Sequence, residues 1–174
     1  MSRLKPPSES EMDAAQKALR DSMFKVWKRA TGGPFDLWYA SPELGQLSNN
    51  LGQFCRWNTS LSFDVLETAI LTVAAHWDQA YEWTTHAKNA KDAGLSESTI
   101  AAIRAGAAPT FQTVEQAMAH DVAREVLESR KLSAATYARA AGVFDTRALV
   151  DLASVIGWYS SLAVQMNIFD VGAA

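Results

Sequence analysis

The sequence predicts an all-α protein, a compact bundle of helices with an N-terminal helical arm. Apolar residues recur at helical spacing in segment after segment, and the loops between these segments are short. Most segments also begin at a side chain that can cap a helix, such as Ser96 or Thr113. No segment shows the alternating pattern of a half-buried strand, so a helical bundle is expected.

The first predicted helix begins at Ser8 or Ser10 and runs to about Ala30, where two glycines and a proline in 31–34 end it. The second predicted helix follows Ser41, which can cap it, and has a proline at its first helical position. It ends near Asn58.

Residues 65–77 are apolar on almost every side, which is typical of a buried helix. The remaining helices are expected at 79–93 with Asp78 as cap, from Ser96 to near Gly106, at 114–130, at 133–141 and from 146 to about 168. Gly94 and Gly142 mark two of the stops. One domain follows, with residues 1–40 as tail and arm and 41–174 as the helical domain.

Composition limits the classes of protein that are possible. Apolar residues make up 48% and charged residues 20%, which suits a packed core. The net charge is only −3 and no run of Lys or Arg exceeds two, so neither nucleic-acid binding nor a basic membrane anchor is expected. The N-terminus lacks the apolar stretch of a secretory signal, and no apolar run is long enough to span a bilayer. We expect a soluble, cytoplasmic protein.

The single cysteine, Cys55, excludes an intramolecular disulfide, a Cys-x-x-Cys redox centre and a multi-thiolate metal site. One cysteine also fits a cytosolic setting. Glycine-rich phosphate loops, a Gly-x-Ser-x-Gly elbow and a His-Glu-x-x-His metal signature are all missing from the sequence. Carboxylate and imidazole side chains are therefore the candidates for chemistry.

Glu67 is the only charged residue between Asp64 and Asp78. Helical spacing places it among apolar neighbours, so its carboxylate is expected to be buried. A buried carboxylate must find a partner or become protonated, and either state suits an acid–base catalyst. The alternative is a structural acid that bonds to a neighbouring helix cap.

Glu82 and His86 are four residues apart, which puts both on one face of the next helix. A carboxylate beside an imidazole stabilises the protonated ring, so the pair can pass a proton near neutral pH. The alternative is an ordinary ion pair on the protein surface.

Five further residues are candidates for substrate binding: Arg56, His76, Trp77, Tyr81 and Trp83. Arg56 can hold a substrate carboxylate or lie on the surface. His76 can serve the site or bond the last carbonyls of its helix. The three aromatic residues surround the Glu–His pair, although such aromatics are more often core. His120, by contrast, is expected to face solvent.

The tract ETAILTVAAHWDQAYEWTTHAKNAKDAGLSESTIAAI resembles the core of the carboxymuconolactone decarboxylase family, which shares its fold with alkylhydroperoxidase D. The phrase YEWTTH followed by the AGLS turn carries most of the likeness. The segment around SPEL resembles the helix that precedes this core. The resemblance covers residues 35–105 and implies an alkylhydroperoxidase D-like bundle.

In the peroxidase branch of that superfamily, a Cys-x-x-Cys pair opens the second helix, with a Glu upstream and a His downstream. Gln79 and Glu82 stand at the cysteine positions here, while Glu67 and His86 match the acid and the histidine. The resemblance therefore implies that disulfide-based peroxide reduction is lost, and Cys55 alone is not expected to replace it. The decarboxylase branch carries Glu and His four apart at this point, as Glu82 and His86 are.

By this resemblance, the chain is a cofactor-free lyase or proton-transfer enzyme acting on a carboxylated lactone or a related intermediate of aromatic catabolism. His86 would donate the proton, Glu82 would tune it and Glu67 would orient the relay. A metal-dependent enzyme with the same side chains, or a non-catalytic binding or assembly protein, is the alternative. The family also implies a homo-oligomer, a trimer or hexamer, in which the arm can pack on a neighbour.

Overall fold

The computed structural model describes residues 2–172, and within that range it contains α-helices and no β-strand. The all-helical prediction is therefore confirmed. The helices are α1 (Ala14–Trp27), α2 (Pro34–Trp38), α3 (Pro42–Trp57), α4 (Phe63–His76), α5 (Ala80–Asp92), α6 (Glu97–Arg104), α7 (Val114–Ser129), α8 (Ala134–Ala141) and α9 (Thr146–Ile168).

Helix α4 is the centre of the bundle. Every residue from Val65 to Ala74 is buried, because α5, α7 and α9 pack around the helix and α6 covers one more side. The predicted burial of residues 65–77 is confirmed for 65–74, whereas Ala75 and Trp77 are half-buried and His76 is exposed. Any polar side chain in this stretch, Glu67 included, must find its partners inside the protein.

The N-terminal arm packs on the same core as α4 and α9. Leu19 and Met23 of α1 are buried against α3, and the short helix α2, which the sequence did not reveal, buries Trp38. A Cβ atom on Gly45 would lie only 2.6 Å from Leu19 Cδ2 and 2.8 Å from Trp38 Cβ, so this approach needs glycine. The domain boundary at residue 40 and the homo-oligomer both stay predictions.

Two helix starts differ from those predicted. Helix α1 begins after Asp13, which forms a capping box with Gln16, and not at Ser8 or Ser10. Asp78 does not cap α5, because its backbone takes a left-handed conformation (φ 46°) in the sharp turn between α4 and α5. The side chain of Gln79 accepts a hydrogen bond from a first-turn amide of α5 instead.

Among residues 2–172, one helix, α9, is long and apolar enough to cross a membrane by length and composition alone. This differs from the prediction that no apolar stretch is long enough to span a bilayer. Core helices of soluble proteins pass the same test, and 50% of the most apolar window of α9 is buried inside the protein. The cytoplasmic location stays a prediction.

We expect Gly45→Ala to lower the free energy of unfolding by about 1–3 kcal/mol, because the added methyl group would overlap Leu19 and Trp38. Gly157→Ala is the matched control. Gly157 is exposed in α9 and has open space at its Cβ position, so alanine there should be neutral or stabilise by up to about 1 kcal/mol. Urea unfolding followed by circular dichroism measures both. Equal effects would contradict the packing of the arm on α3.

Candidate active site

Glu67 is fully buried at the centre of the bundle, with 0% of its side chain exposed. One carboxylate oxygen, Oε1, accepts a hydrogen bond from Nη1 of Arg56 at the end of α3. The other, Oε2, lies 2.7 Å from Nδ1 of His86 on α5. The buried acid thus has a hydrogen-bonded partner on each oxygen, which offsets the cost of removing it from water.

His86 lies between two glutamates. Its Nδ1 faces Glu67, and its Nε2 is 3.4 Å from Oε2 of Glu82. Because Glu67 accepts a hydrogen bond on the Nδ1 side, the geometry assigns the Nδ1 proton to that bond and leaves Nε2 facing Glu82. Glu82 and His86 are both buried, so they are not a surface ion pair.

The surroundings of Glu82 favour its protonated form. Burial is the main cause and raises the pKa of Glu82 from 4.5 to about 7. Nearby His86 opposes this rise, and the charge of Glu67 adds to it. Glu82 therefore exchanges a proton near neutral pH at a distance of 3.4 Å from the imidazole.

Glu82 and His86 open onto a cavity of about 250 Å³, which we call the aromatic cavity. It lies between the N-terminal arm, α3, α5 and α9, and seven of the residues that line it are aromatic: Trp27, Phe35, Trp38, Trp57, Tyr81, Trp158 and Tyr159. Glu67 does not line it, but lies behind His86. Aromatic walls reduce the contact of bulk water with a proton that moves between two groups.

Tyr159 of α9 is a site residue that the sequence analysis missed. Its ring meets the imidazole of His86 edge-on, with the ring centroids 5.0 Å apart. Burial raises the pKa of the Tyr159 hydroxyl well above its ordinary value, so this hydroxyl stays neutral and can donate a hydrogen bond. Arg29 and Trp27, from the arm, also line the cavity and were not anticipated. In the sequence, Tyr159 is marked only by its neighbour Trp158. Two adjacent aromatic residues are equally typical of an ordinary core helix, so they did not predict a site residue.

Of the predicted substrate-binding residues, Arg56 and Tyr81 line the aromatic cavity, whereas His76, Trp77 and Trp83 do not. Trp83 follows Glu82 by one position, which turns it by about 100° onto the side of α5 that packs against α6. His76 and Trp77 lie at the far end of α4, about 14 Å along the helix from Glu67 at 1.5 Å per residue.

A larger cleft, of about 540 Å³, lies between α4, α6 and α7 and contains none of the Glu67–His86–Glu82 cluster. His76 is exposed and lines it.

His120 also lines this cleft, and the prediction that His120 faces solvent is wrong. The residue is only 7% exposed because it lies on the side of α7 that packs toward α4, with its ring 5.3 Å from that of Phe111. Burial lowers the pKa of His120.

The cluster does not fit a metal ion. Within residues 2–172, no group of three His, Cys, Asp or Glu side chains is arranged to hold one. Glu67 and Glu82 lie at opposite ring nitrogens of His86, so the three cannot converge on one point, and Arg56 occupies the remaining oxygen of Glu67. This geometry does not support the metal-dependent alternative.

Cys55 is a poor nucleophile in this structure. Its side chain is fully buried on α3 and does not line the aromatic cavity. Burial raises the pKa of the Cys55 thiol to about 11, so the thiolate that peroxide chemistry needs is not formed near neutral pH.

The fold and the site define a class: an all-helical protein in which a buried acid–imidazole pair faces an aromatic cavity. Residues 42–125, a little under half of the chain, match the carboxymuconolactone decarboxylase family. No curated protein matches the chain significantly. The matched segment contains Arg56, Glu67, Glu82 and His86. The arm and α9, which supply half of the residues that line the cavity, lie outside it.

We expect a pH dependence of stability that comes from Glu82. Because the pKa of Glu82 rises from 4.5 to about 7 on folding, its contribution is fully present below about pH 4.5 and is lost by about pH 7. A shift of this size corresponds to about 3 kcal/mol. Urea unfolding across this pH range should therefore show a steeper loss of stability for the wild type than for Glu82→Gln. Parallel profiles for the two proteins would contradict the buried, proton-binding state of Glu82.

Proposed function

We propose that the protein is a cofactor-free enzyme that decarboxylates, or moves a proton within, a small carboxylated lactone or a related ring acid. The observation that carries this proposal is the position of His86, with Nδ1 bonded to buried Glu67 and Nε2 facing Glu82 at the wall of the aromatic cavity. The match of residues 42–125 to the carboxymuconolactone decarboxylase family supports the same class of chemistry.

The buried pair of Arg56 and Glu67 prepares the site before the substrate arrives. The two opposite charges offset each other, and Glu67 holds the Nδ1 proton of His86, so the ring cannot rotate freely or change tautomer. The exchangeable proton is thereby confined to the side that faces the cavity, between Nε2 of His86 and Glu82.

In the proposed decarboxylation, the bond between the ring carbon and the departing carboxylate breaks, and carbon dioxide leaves. The electron pair of that bond remains on the substrate and delocalises into the lactone as a dienolate. The proton held by Glu82 and His86 then forms a new bond to carbon, and the pair regains a proton from water. A positioned general acid of this kind contributes typically about 10²–10⁴-fold to the rate.

Two features of the cavity favour this charge movement. The aromatic wall limits hydration of the departing carboxylate, which favours loss of its charge as carbon dioxide. The ring of Tyr159 packs against the His86 imidazole, and its hydroxyl is a neutral donor that can stabilise the dienolate oxygen. The same groups can serve an isomerisation, in which a proton leaves one carbon and returns to another.

The test is carbon dioxide release from carboxymuconolactone, together with uptake of one deuterium at carbon in deuterated water. We expect His86→Gln to lower the rate by about 10²–10⁴-fold, because the variant removes the proton donor. Thr84→Ala is the matched control, since Thr84 is exposed on the same helix. It should keep the wild-type rate.

A wild-type rate in His86→Gln would contradict the proposed role of this residue. If the wild type neither releases carbon dioxide nor exchanges carbon-bound hydrogen in carboxymuconolactone or related lactone acids, the result favours a binding or assembly protein instead.

A further inference from the structure

We infer that Arg29, on the N-terminal arm, binds the carboxylate by which the substrate is recognised. The arm would then select among small ring acids, while the matched family segment supplies the proton chemistry. The inference rests on the proposed function for the identity of the ligand, but it concerns binding and can be measured without turnover.

Arg29 is held at the aromatic cavity by the end of α1. Lys28 takes a left-handed conformation (φ 59°), which ends the helix and directs the chain toward the cavity. The guanidinium carbon of Arg29 lies 5.1 Å from the ring centroid of Phe35 and 5.7 Å from that of Tyr81. Two aromatic rings thus position the cation without neutralising its charge.

The charge of Arg29 is available to a ligand. Among residues 2–172, no carboxylate lies within ion-pair distance of it. Asp36 is the acid in this region, and its Oδ1 accepts a hydrogen bond from the backbone N–H of Gly32 at 2.9 Å. Arg56, the other arginine at the cavity, already donates to Glu67. Arg29 is therefore better suited than Arg56 to bind a substrate anion.

A second donor lies beside Arg29. The hydroxyl of Tyr81 is buried and has no hydrogen-bond partner in the part of the chain that the structure describes. Gly33 covers it closely, since a Cβ atom on Gly33 would lie 2.8 Å from the hydroxyl oxygen. A buried hydroxyl without a partner is unfavourable, and a carboxylate oxygen bound by Arg29 would satisfy it.

The cavity also limits the ligand. A volume of about 250 Å³ with aromatic walls fits one small planar ring. A carboxylate held by Arg29 at the arm would leave the body of such a ring near Glu82 and His86. The positive charge of Arg29 also opposes the rise in the pKa of Glu82, so the two groups interact across the cavity.

Benzoate and benzamide test this inference, because they share ring and size and differ in charge. Binding can be followed by the fluorescence of the tryptophans in the cavity wall or by calorimetry. We expect the wild type to bind benzoate more tightly than benzamide. Arg29→Gln should weaken benzoate binding about 10- to 100-fold and leave benzamide binding unchanged, and Arg29→Lys should restore part of the loss.

Lys25→Gln is the matched control, because it removes one positive charge from the same arm but does not line the cavity. It should bind benzoate like the wild type. The inference is overturned if Arg29→Gln keeps wild-type affinity, if Lys25→Gln loses as much as Arg29→Gln, or if the wild type binds neither compound. Unchanged benzamide binding shows that Arg29→Gln is folded.

The two proposals fail separately. If Arg29→Gln loses benzoate binding while His86→Gln keeps full lactone turnover, the Arg29 site is supported and the catalytic role of His86 is contradicted. If Arg29→Gln keeps benzoate binding while His86→Gln loses turnover, the catalytic role of His86 is supported and the Arg29 site is contradicted.

Discussion

The Glu67 carboxylate is buried in the middle of α4, and the structure around it depends on how this charge is neutralised. Arg56 from α3 and His86 from α5 each bond one of its oxygens, so the acid ties three helices together. Removing one partner of such a buried pair typically costs about 3–5 kcal/mol, because the other charge is left without compensation. The same contacts fix the orientation of the imidazole. The need to neutralise Glu67 therefore also prepares His86 to handle a proton on its other side.

The site combines two parts of the chain with different tasks. The segment that matches the family contains Arg56, Glu67, Glu82 and His86, which form one buried cluster around the imidazole. The arm and α9 enclose this chemistry with aromatic side chains and add Arg29. The matched segment thus points to a class of reaction, and the cavity beside it is lined by residues both inside and outside that segment.

Much of the fold follows from local sequence, since helical periodicity and capping side chains act over a few residues. The burial of Glu67 also follows locally, because a single acid in an apolar helix has no solvent-facing side. Glu82 and His86 share a face because four residues make about one turn. Trp83, by contrast, is adjacent in sequence but points away from the site. Tyr159 reaches the cavity only through the packing of α9, and periodicity within α9 cannot reveal that contact.

The central claim is that Glu67 holds the Nδ1 proton of His86 and leaves Nε2 to exchange its proton with Glu82. Nitrogen-15 NMR of the imidazole rings tests it most directly, with His76→Gln and His120→Gln used to assign the His86 signals. The account predicts that Nδ1 of His86 carries a proton in the folded protein, in the hydrogen bond to Glu67. An Nε2–H tautomer with a bare Nδ1 would contradict it.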